Sequence, residues 1–573
     1  MRTGATVLSH KNVINTRLWR IAFVTVPVAI VVSMFALESP PDGLKPLVPP
    51  DGFDTSLTAE IAGEMAKSAP SPRAGSNSDR ILGELVEGRF SGLQGVEVAE
   101  QRFSGGGEDL RNVIAVLPGN SERQVALIAG RDVAAGSGAS TSIAATATLV
   151  ELATVFSGST HEKTLVFVST DGASIGALGA KRFAADYSDA DKLDAIIALS
   201  DPASPDPRRP LIVPWGTTPR NTSVQLQRTA ADLVSRETAI PSGNEGPLSE
   251  FGRLVFPSGF GEQAPLVGEG IDSVRITSAG ERPSVSDEPV DQETLSGMGR
   301  GTLAVLLALD AASRPLEQGP DTYIGVAGNL LPGWTLALLA LAFLIPVAAV
   351  ASSSLGATAS SPAEAISAVL RPFRRWVVPA LVGLVFLYFF ALVGLIPDLA
   401  FPFVPGTVTP GAGGWIGISL VLSIWIGSTV ISVRRRGVGD GDSRTEPAGA
   451  LTLAVCSALL LWPVNPYLAL CLAIGLLVWV FAASDKRRSR LSRIGFVLIG
   501  LVPLVGIVVE LAGRLGWGWD LGWSLVYMVA DRQIGFVSVF LILTTLAGGL
   551  AIALLPTASP EDDPDTLPDN PFA

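Results

Sequence analysis

Few side chains in this chain are spaced so that they could do chemistry together. Its 573 residues include two histidines, His10 in a short basic N-terminus and His161 in a polar turn ahead of a strand. Asp171 and Ser174 share one loop, so with His161 they supply the residue types of a Ser-His-Asp hydrolase. That assembly needs the imidazole between hydroxyl and carboxylate, and His161 precedes the very strand that Asp171 follows. Five strand residues at about 3.3 Å each put the two roughly 15 Å apart, so no triad is expected. Asp171 before Gly172 reads first as a turn residue. Asp132, Asp171 and Asp201, each near the end of an expected strand, offer the oxygen donors that a hard cation such as Ca²⁺ takes. Cys456 and Cys471 both fall in apolar runs and build neither a disulfide framework nor a thiolate zinc site.

The composition sets the class of protein that must hold these groups. Hydrophobic residues make up 48% and charged residues 16%, too apolar for an ordinary soluble chain and too polar for a pure membrane bundle. A net charge of −12 argues against nucleic acid as a partner, because phosphate binding needs a basic face.

Apolar runs at residues 18–37, 330–351, 376–396, 415–433, 448–464, 467–483, 494–512 and 534–555 predict eight membrane spans. Arg371, Arg374 and Arg375, then Arg434–Arg436, then Lys486, Arg487, Arg488, Arg490 and Arg493 fall on alternate loops. Those are the loops that an N-terminus on the cytoplasmic side places inside. A cleaved signal peptide is the alternative for the first run, but Glu38-Ser39-Pro40-Pro41 is a poor cleavage site. The spans hold almost no ionisable groups, which argues against an ion-coupled transporter. Trp517, Trp519 and Trp523 read as interfacial anchors, and Glu561, Asp562, Asp563, Asp565 and Asp569 as a solvated tail. The expected layout is a cytoplasmic N-terminus at 1–17, a transmembrane helix at 18–37 and a spacer at 38–57. An exported domain at 58–318, a seven-helix transmembrane region at 330–555 and an acidic disordered tail at 556–573 complete it. Both termini are expected to be cytoplasmic.

Within the exported domain the periodicity switches between helix and strand. Helices are expected at 58–68, 79–88, 142–155 and 176–186, and strands at 96–103, 112–117, 124–129, 163–169 and 195–199. Strands alternating with helices predict an α/β domain, a mostly parallel sheet flanked by helices. Such sheets place their sites at the carboxyl ends of strands.

The local sequence carries a family resemblance. Arg73-Ala74-Gly75-Ser76, then residues 110–119 (Leu-Arg-Asn-Val-Ile-Ala-Val-Leu-Pro-Gly), resemble the opening of the zinc aminopeptidases of the leucyl and aminopeptidase-S types. In that family the next strand ends in His-x-Asp, a Gly-Ala-x-Asp-Asn loop opens a helix ending Glu-Leu-Ala, and a third strand runs into Asp-Gly-Glu-Glu-x-Gly. This chain has Ala129-Gly130-Arg131-Asp132, then Gly138-Ala139-Ser140-Thr141-Ser142 running to Glu151-Leu152-Ala153, then Asp171-Gly172-Ala173-Ser174-Ile175-Gly176. The resemblance covers roughly residues 69–310.

Position by position, it implies that the metal ligands are gone. The first histidine corresponds to Arg131, or to Gly130 if the register slips by one. The bridging aspartate corresponds to Thr141, and the Glu-Glu pair that supplies the general base and a ligand to Ala173-Ser174. The aspartate ending the next strand falls at Ser200, with Asp201 just beyond, and residues 282–288 contain no final histidine. A zinc pair needs nitrogen and oxygen donors together and a base within reach of the metal-bound water. The expectation is therefore a catalytically inactive domain without zinc or another cofactor. Its candidate cleft is formed by Arg131, Asp132, Thr141, Asp171 and Asp201, with Arg131 favouring an anionic group. Gly138, Gly172, Gly176 and Gly179 keep the framing loops tight.

The order of parts is similar to the attachment subunit of the GPI transamidase, and nicastrin and nicalin show the same loss of ligands with fewer spans. That similarity implies a substrate-binding or assembly subunit with membrane-protein partners and a peptide or lipid ligand, and no nucleic acid. An active membrane metallopeptidase and a protein handling lipids or envelope precursors are the alternatives.

Overall fold

The computed structural model describes residues 16–134, 139–204, 209–243, 246–282, 290–396, 409–435, 445–484 and 488–555. His10, Gly138, Arg436, Lys486, Arg487, residues 283–289 and the acidic tail lie outside them, as does the side chain of Thr141.

The described residues open with two helices, α1 (Thr16–Ala22) and the apolar α2 (Thr25–Phe35). The α/β domain follows. Helices α3 (Thr55–Ser68) and α4 (Asn77–Ser91) come first, then strands β1 (Glu97–Gly105), β2 (Glu108–Leu117) and β3 (Ser121–Gly130). Next are α5 (Ala139–Phe156), β4 (Lys163–Thr170), α6 (Leu178–Asp186), β5 (Leu193–Ser200) and β6 (Leu211–Val213). Helices α7 (Val224–Thr238), α8 (Pro247–Val255) and α9 (Gln263–Gly268), strand β7 (Ser273–Thr277) and helix α10 (Gln292–Asp310) complete it. Side-chain caps start several helices where the sequence provides them: Asp54 accepts from Leu57 N, Ser76 from Asp79 N and Asp291 from Thr294 N. Each cap satisfies an amide that the helix itself cannot.

The seven strands lie in the order β1-β2-β4-β3-β5-β7-β6. The four central ones, β4, β3, β5 and β7, run parallel, while β1, β2 and β6 join antiparallel at the flanks. The sheet is thus mixed, with the expected parallel portion at its centre. Strand β4 is buried at all eight positions, which is why its middle, Leu165–Val168, is an unbroken apolar run rather than an alternation. In β3, Val125, Leu127 and Ala129 pack on the face covered by α3, α4, α5 and α10, and Ala126 and Ile128 on the face covered by α6 and α9.

A hairpin of β8 (Tyr323–Val326) and β9 (Asn329–Pro332) leads into the helical part. That part comprises α11 (Gly333–Thr358), α12 (Pro362–Pro372), α13 (Val378–Leu392), α14 (Ala412–Arg435) and α15 (Glu446–Leu461), then α16 (Pro466–Ser484), α17 (Arg490–Leu515), α18 (Leu521–Ala530) and α19 (Phe536–Ala553). Seven helices among the described residues are long and apolar enough to cross a membrane: 18–35, α11, the α12–α13 rod, 412–434, α16, α17 and α19. The eighth expected span, α15, has 16 residues yet packs against α11, α16 and α19 as a full member of the bundle. Helix α18 was not foreseen, because its ten residues fall short of a span. The chain is a membrane protein by these helices.

Candidate functional site

A cavity of about 90 Å³ opens at the carboxyl ends of β3, β4 and β5, where parallel sheets gather their ligands. Gly130 and Asp132 beyond β3, Ala173 and Ser174 beyond β4, and Ser200 and Asp201 at the end of β5 line it. Gly261, Glu262 and Arg275 close the far wall.

Strand parity decides which residues reach this cavity. Side chains alternate between the two sheet faces, so residue 131 continues the row of Val125, Leu127 and Ala129 towards α4. The Arg131 guanidinium accordingly turns away from the cavity and is fully buried. Its Nε lies 2.9 Å from Asp79 Oδ1, one terminal nitrogen donates to Asp79 Oδ2 at 2.9 Å, and the same nitrogen stands 3.1 Å from Asp171 Oδ2. Its other terminal nitrogen donates to Ser169 O at 3.1 Å. Asp171 is occupied as well, accepting from Arg111 N at 3.0 Å. Burial pushes the Asp79 carboxyl above its ordinary range, and the guanidinium beside it pulls the other way. Arg131 and Asp171, expected in the cleft, are instead parts of a buried ion-pair network behind it.

Gly130, not Arg131, is the cavity-facing member of that pair. A Cβ at Gly130 would lie 2.4 Å from Ala173 Cβ, so the position excludes any larger side chain, a histidine included. Gly179 is similarly enforced: its Cβ would meet Asp171 O at 2.5 Å.

Asp132 is clasped by the loop after β4. Its carboxylate accepts from Ala173 N at 2.7 Å, from Ser174 N at 2.8 Å and from the Ser174 hydroxyl. Burial raises its pKa, opposed by the Ser174 hydrogen bonds. Glu262 accepts from the Thr170 hydroxyl. Burial, with the charge of Asp132 adding to it, pushes the Glu262 carboxyl up to about 7 despite that bond and the nearby Arg275. Arg275 donates to Glu281 O at 3.3 Å and is the cation that lines the cavity. Glu262 and Arg275 escaped the sequence reading because no motif marks them. Both come from the 256–282 stretch, which only the fold brings against β3.

His161 sits at the amino end of β4, opposite the cavity. It is buried edge-on to Phe156, and its Nδ1 lies 2.8 Å from Lys163 O. It joins neither Ser174 nor Asp171. No group of three or more His, Cys, Asp or Glu side chains able to hold a metal occurs among the described residues. The residues present do not fit a zinc pair. The cavity offers no imidazole, the Asp132 oxygens are taken by amides, and Arg275 adds a positive charge where a cation would bind.

Residues 112–249 match the model of peptidase family M28. The matched stretch runs from β2 into α8 and includes the cavity's β3, β4 and β5 walls, but not Glu262 or Arg275. No curated protein matches the chain. Among solved structures, an aminopeptidase from Aneurinibacillus sp. strain AM-1 is 15% identical over 47% of this chain and 96% of its own, with a TM-score of 0.37. The zinc aminopeptidase BSAP from Bacillus subtilis is 10% identical over 46% of this chain and 98% of its own, at 0.37. The glutaminyl cyclase of Porphyromonas gingivalis is 15% identical over 45% of this chain and 98% of its own, at 0.35.

Proposed function

We propose that this protein is a membrane-bound, catalytically inactive relative of the zinc aminopeptidases that binds a ligand, or organises membrane partners, through its α/β domain. The observation that carries the reading is the composition of the cavity wall. The strand-end positions that would present metal donors hold Gly130, Ala173, Ser174 and Ser200, while the cavity itself stays open. The role of a substrate-binding or assembly subunit follows from this, in keeping with the layout similar to the GPI transamidase attachment subunit. With Arg131 withdrawn, the polar groups of the lining that a peptide or lipid headgroup would meet include Ser142, Ser200, Asp201, Glu262 and Arg275.

The orientation in the membrane is part of the proposal. The α/β domain contacts the start of α16 and the end of α17, whereas Arg488, Arg490 and Arg493 sit where α16 turns into α17, at the other end of the bundle. The positive-inside rule puts that basic end in the cytoplasm and the α/β domain across the membrane.

Elemental analysis of the purified full-length protein, paired with an aminopeptidase assay, tests the reading. Less than stoichiometric zinc and no hydrolysis with added metal are expected. Two tightly held zinc ions per chain would overturn it. They would favour the second reading, an active membrane metallopeptidase, whose support is the M28 match.

A further inference from the structure

The wall of the cavity is also the seam with the membrane bundle. Two residues before Glu262, Phe260 is 1% exposed and packs among Ala512, Leu515, Trp517 and Met528, at the end of α17 and on α18. Upstream, Leu254 and Val255 of α8 share one apolar cluster with Leu468, Leu472, Ile507 and Leu511. Val255 O accepts from Asn465 Nδ2 at 2.9 Å, just before α16. A Cβ on Gly252 would come within 3.2 Å of Leu511.

The second strap runs from the other side of the cavity. Arg275 bonds the carbonyl of Glu281, whose carboxylate forms a buried ion pair with Arg253. Arg253 also donates to Ser258 O at 2.8 Å and lies 4.9 Å from the Trp215 ring centroid. The next residue, Arg282, donates to Gly516 O at 2.8 Å, at the turn between α17 and α18. Gly516 is the left-handed C-cap of α17, with φ +62, and its carbonyl is the group that meets the domain.

We propose that residues 256–262, with the Arg275–Glu281–Arg282 strap, are a relay joining the cavity to the α17–α18 turn, so that filling the cavity repositions that end of the bundle. The reason is geometric. Gly261, with φ +97, and Glu262 line the cavity, and their neighbour Phe260 is buried against Leu515, Trp517 and Met528 on the bundle side. Packed interiors transmit displacement rather than absorb it. Polar contacts on the same path, Arg253 to Glu281 and Arg282 to Gly516, hold the loop to both bodies. This extends the reading of the cavity as a binding site but depends only on its position, so it stands whether or not the site holds metal.

The test fills the cavity chemically and reads the bundle. Full-length protein carrying Cys456→Ala and Cys471→Ala receives Ser174→Cys, and the new thiol is capped with a small methanethiosulfonate reagent. A second protein carries Ala173→Trp, which fills the cavity without chemistry. Hydrogen exchange is followed at residues 514–521, with the turn at 157–161, at the amino end of β4 opposite the cavity, as a remote control. Filling should change exchange at 514–521 by about threefold or more in either protein, leave 157–161 unchanged, and lose its effect when Phe260→Ala is added. Unchanged exchange at 514–521 in both filled proteins overturns the relay. So does an equal change at 157–161, which would mean general loosening.

Discussion

Arg131 Nε lies 2.9 Å from Asp79 Oδ1 in a place where both side chains are shut off from solvent. The pair pins α4 to the end of β3, and Asp171 adds a second carboxylate from the loop after β4. Removing one member of such a network leaves its partners buried and uncompensated, at a cost of about 3–5 kcal/mol. Arg131→Ala should therefore destabilise the protein by about that much, and Arg131→Glu, which places a third carboxylate among two, should prevent folding. Thermal unfolding of the solubilised protein checks both. A stable Arg131→Glu protein with altered ligand or partner recovery would instead put the residue in the recognition surface.

Gly130 and Ala173 face each other across the cavity floor, and a methyl on Gly130 would stand 2.4 Å from the one on Ala173. Gly130→Ala should cost about 1–3 kcal/mol by overpacking. Ala173→Gly should relieve most of that cost in the double variant, a positive coupling that a double-mutant cycle measures directly. Simple additivity of the two changes would show that the loop after β4 yields freely and that the floor is not closely packed.

The cavity carboxyls make stability depend on pH in a definable direction. Glu262 goes from 4.5 to about 7 on burial. Between those values the folded protein holds a proton that the unfolded chain has released, so stability falls as pH rises through that window. The full shift corresponds to about 3 kcal/mol. Glu262→Gln keeps an acceptor for Thr170 and removes this titration, so it should make the decline between about pH 5 and 7 shallower. A residual slope is expected from Asp79 and Asp132, which burial also raises. Denaturation midpoints across pH 4.5–8 measure it, and an unchanged slope would mean that Glu262 is already ionised in the fold.

Much of the α/β domain was legible because buried parallel strands announce themselves as short apolar runs: 163–169 was read where β4 spans Lys163–Thr170. Alternation within β3 also separates residues 130 and 131. With Leu127 and Ala129 facing the helix layer, residue 131 had to face it too, which selects Gly130 as the cavity position. Glu262 and Arg275 were out of reach for a physical reason. Their role depends on α8, α9 and β7 folding back beside β5, a long-range arrangement that no local period encodes. The same limit hid the seam with the bundle, where Phe260 looks in sequence like any loop aromatic.

The last prediction concerns which side of the membrane the cavity faces. Glu38 pairs with Leu330 in a two-way backbone bridge, so the chain leaves α2 and enters α11 at the same end of the bundle, beside the α/β domain. Helix α2 packs on α11 along that path, with Thr25 donating to Ala342 O at 2.9 Å. Arg17 and Arg20 lie at the far end of α1, and Arg371, Arg374 and Arg375 follow the far end of α11. An even number of crossings, with α15 counted, puts the segment after α19 back with those arginines. A tag inserted after Gly243 should then react with an impermeant label in intact cells, and a tag after Ala573 should react only once the membrane is opened. Labelling of both tags would remove α15 from the crossings and leave seven; labelling of only the Ala573 tag would invert the protein.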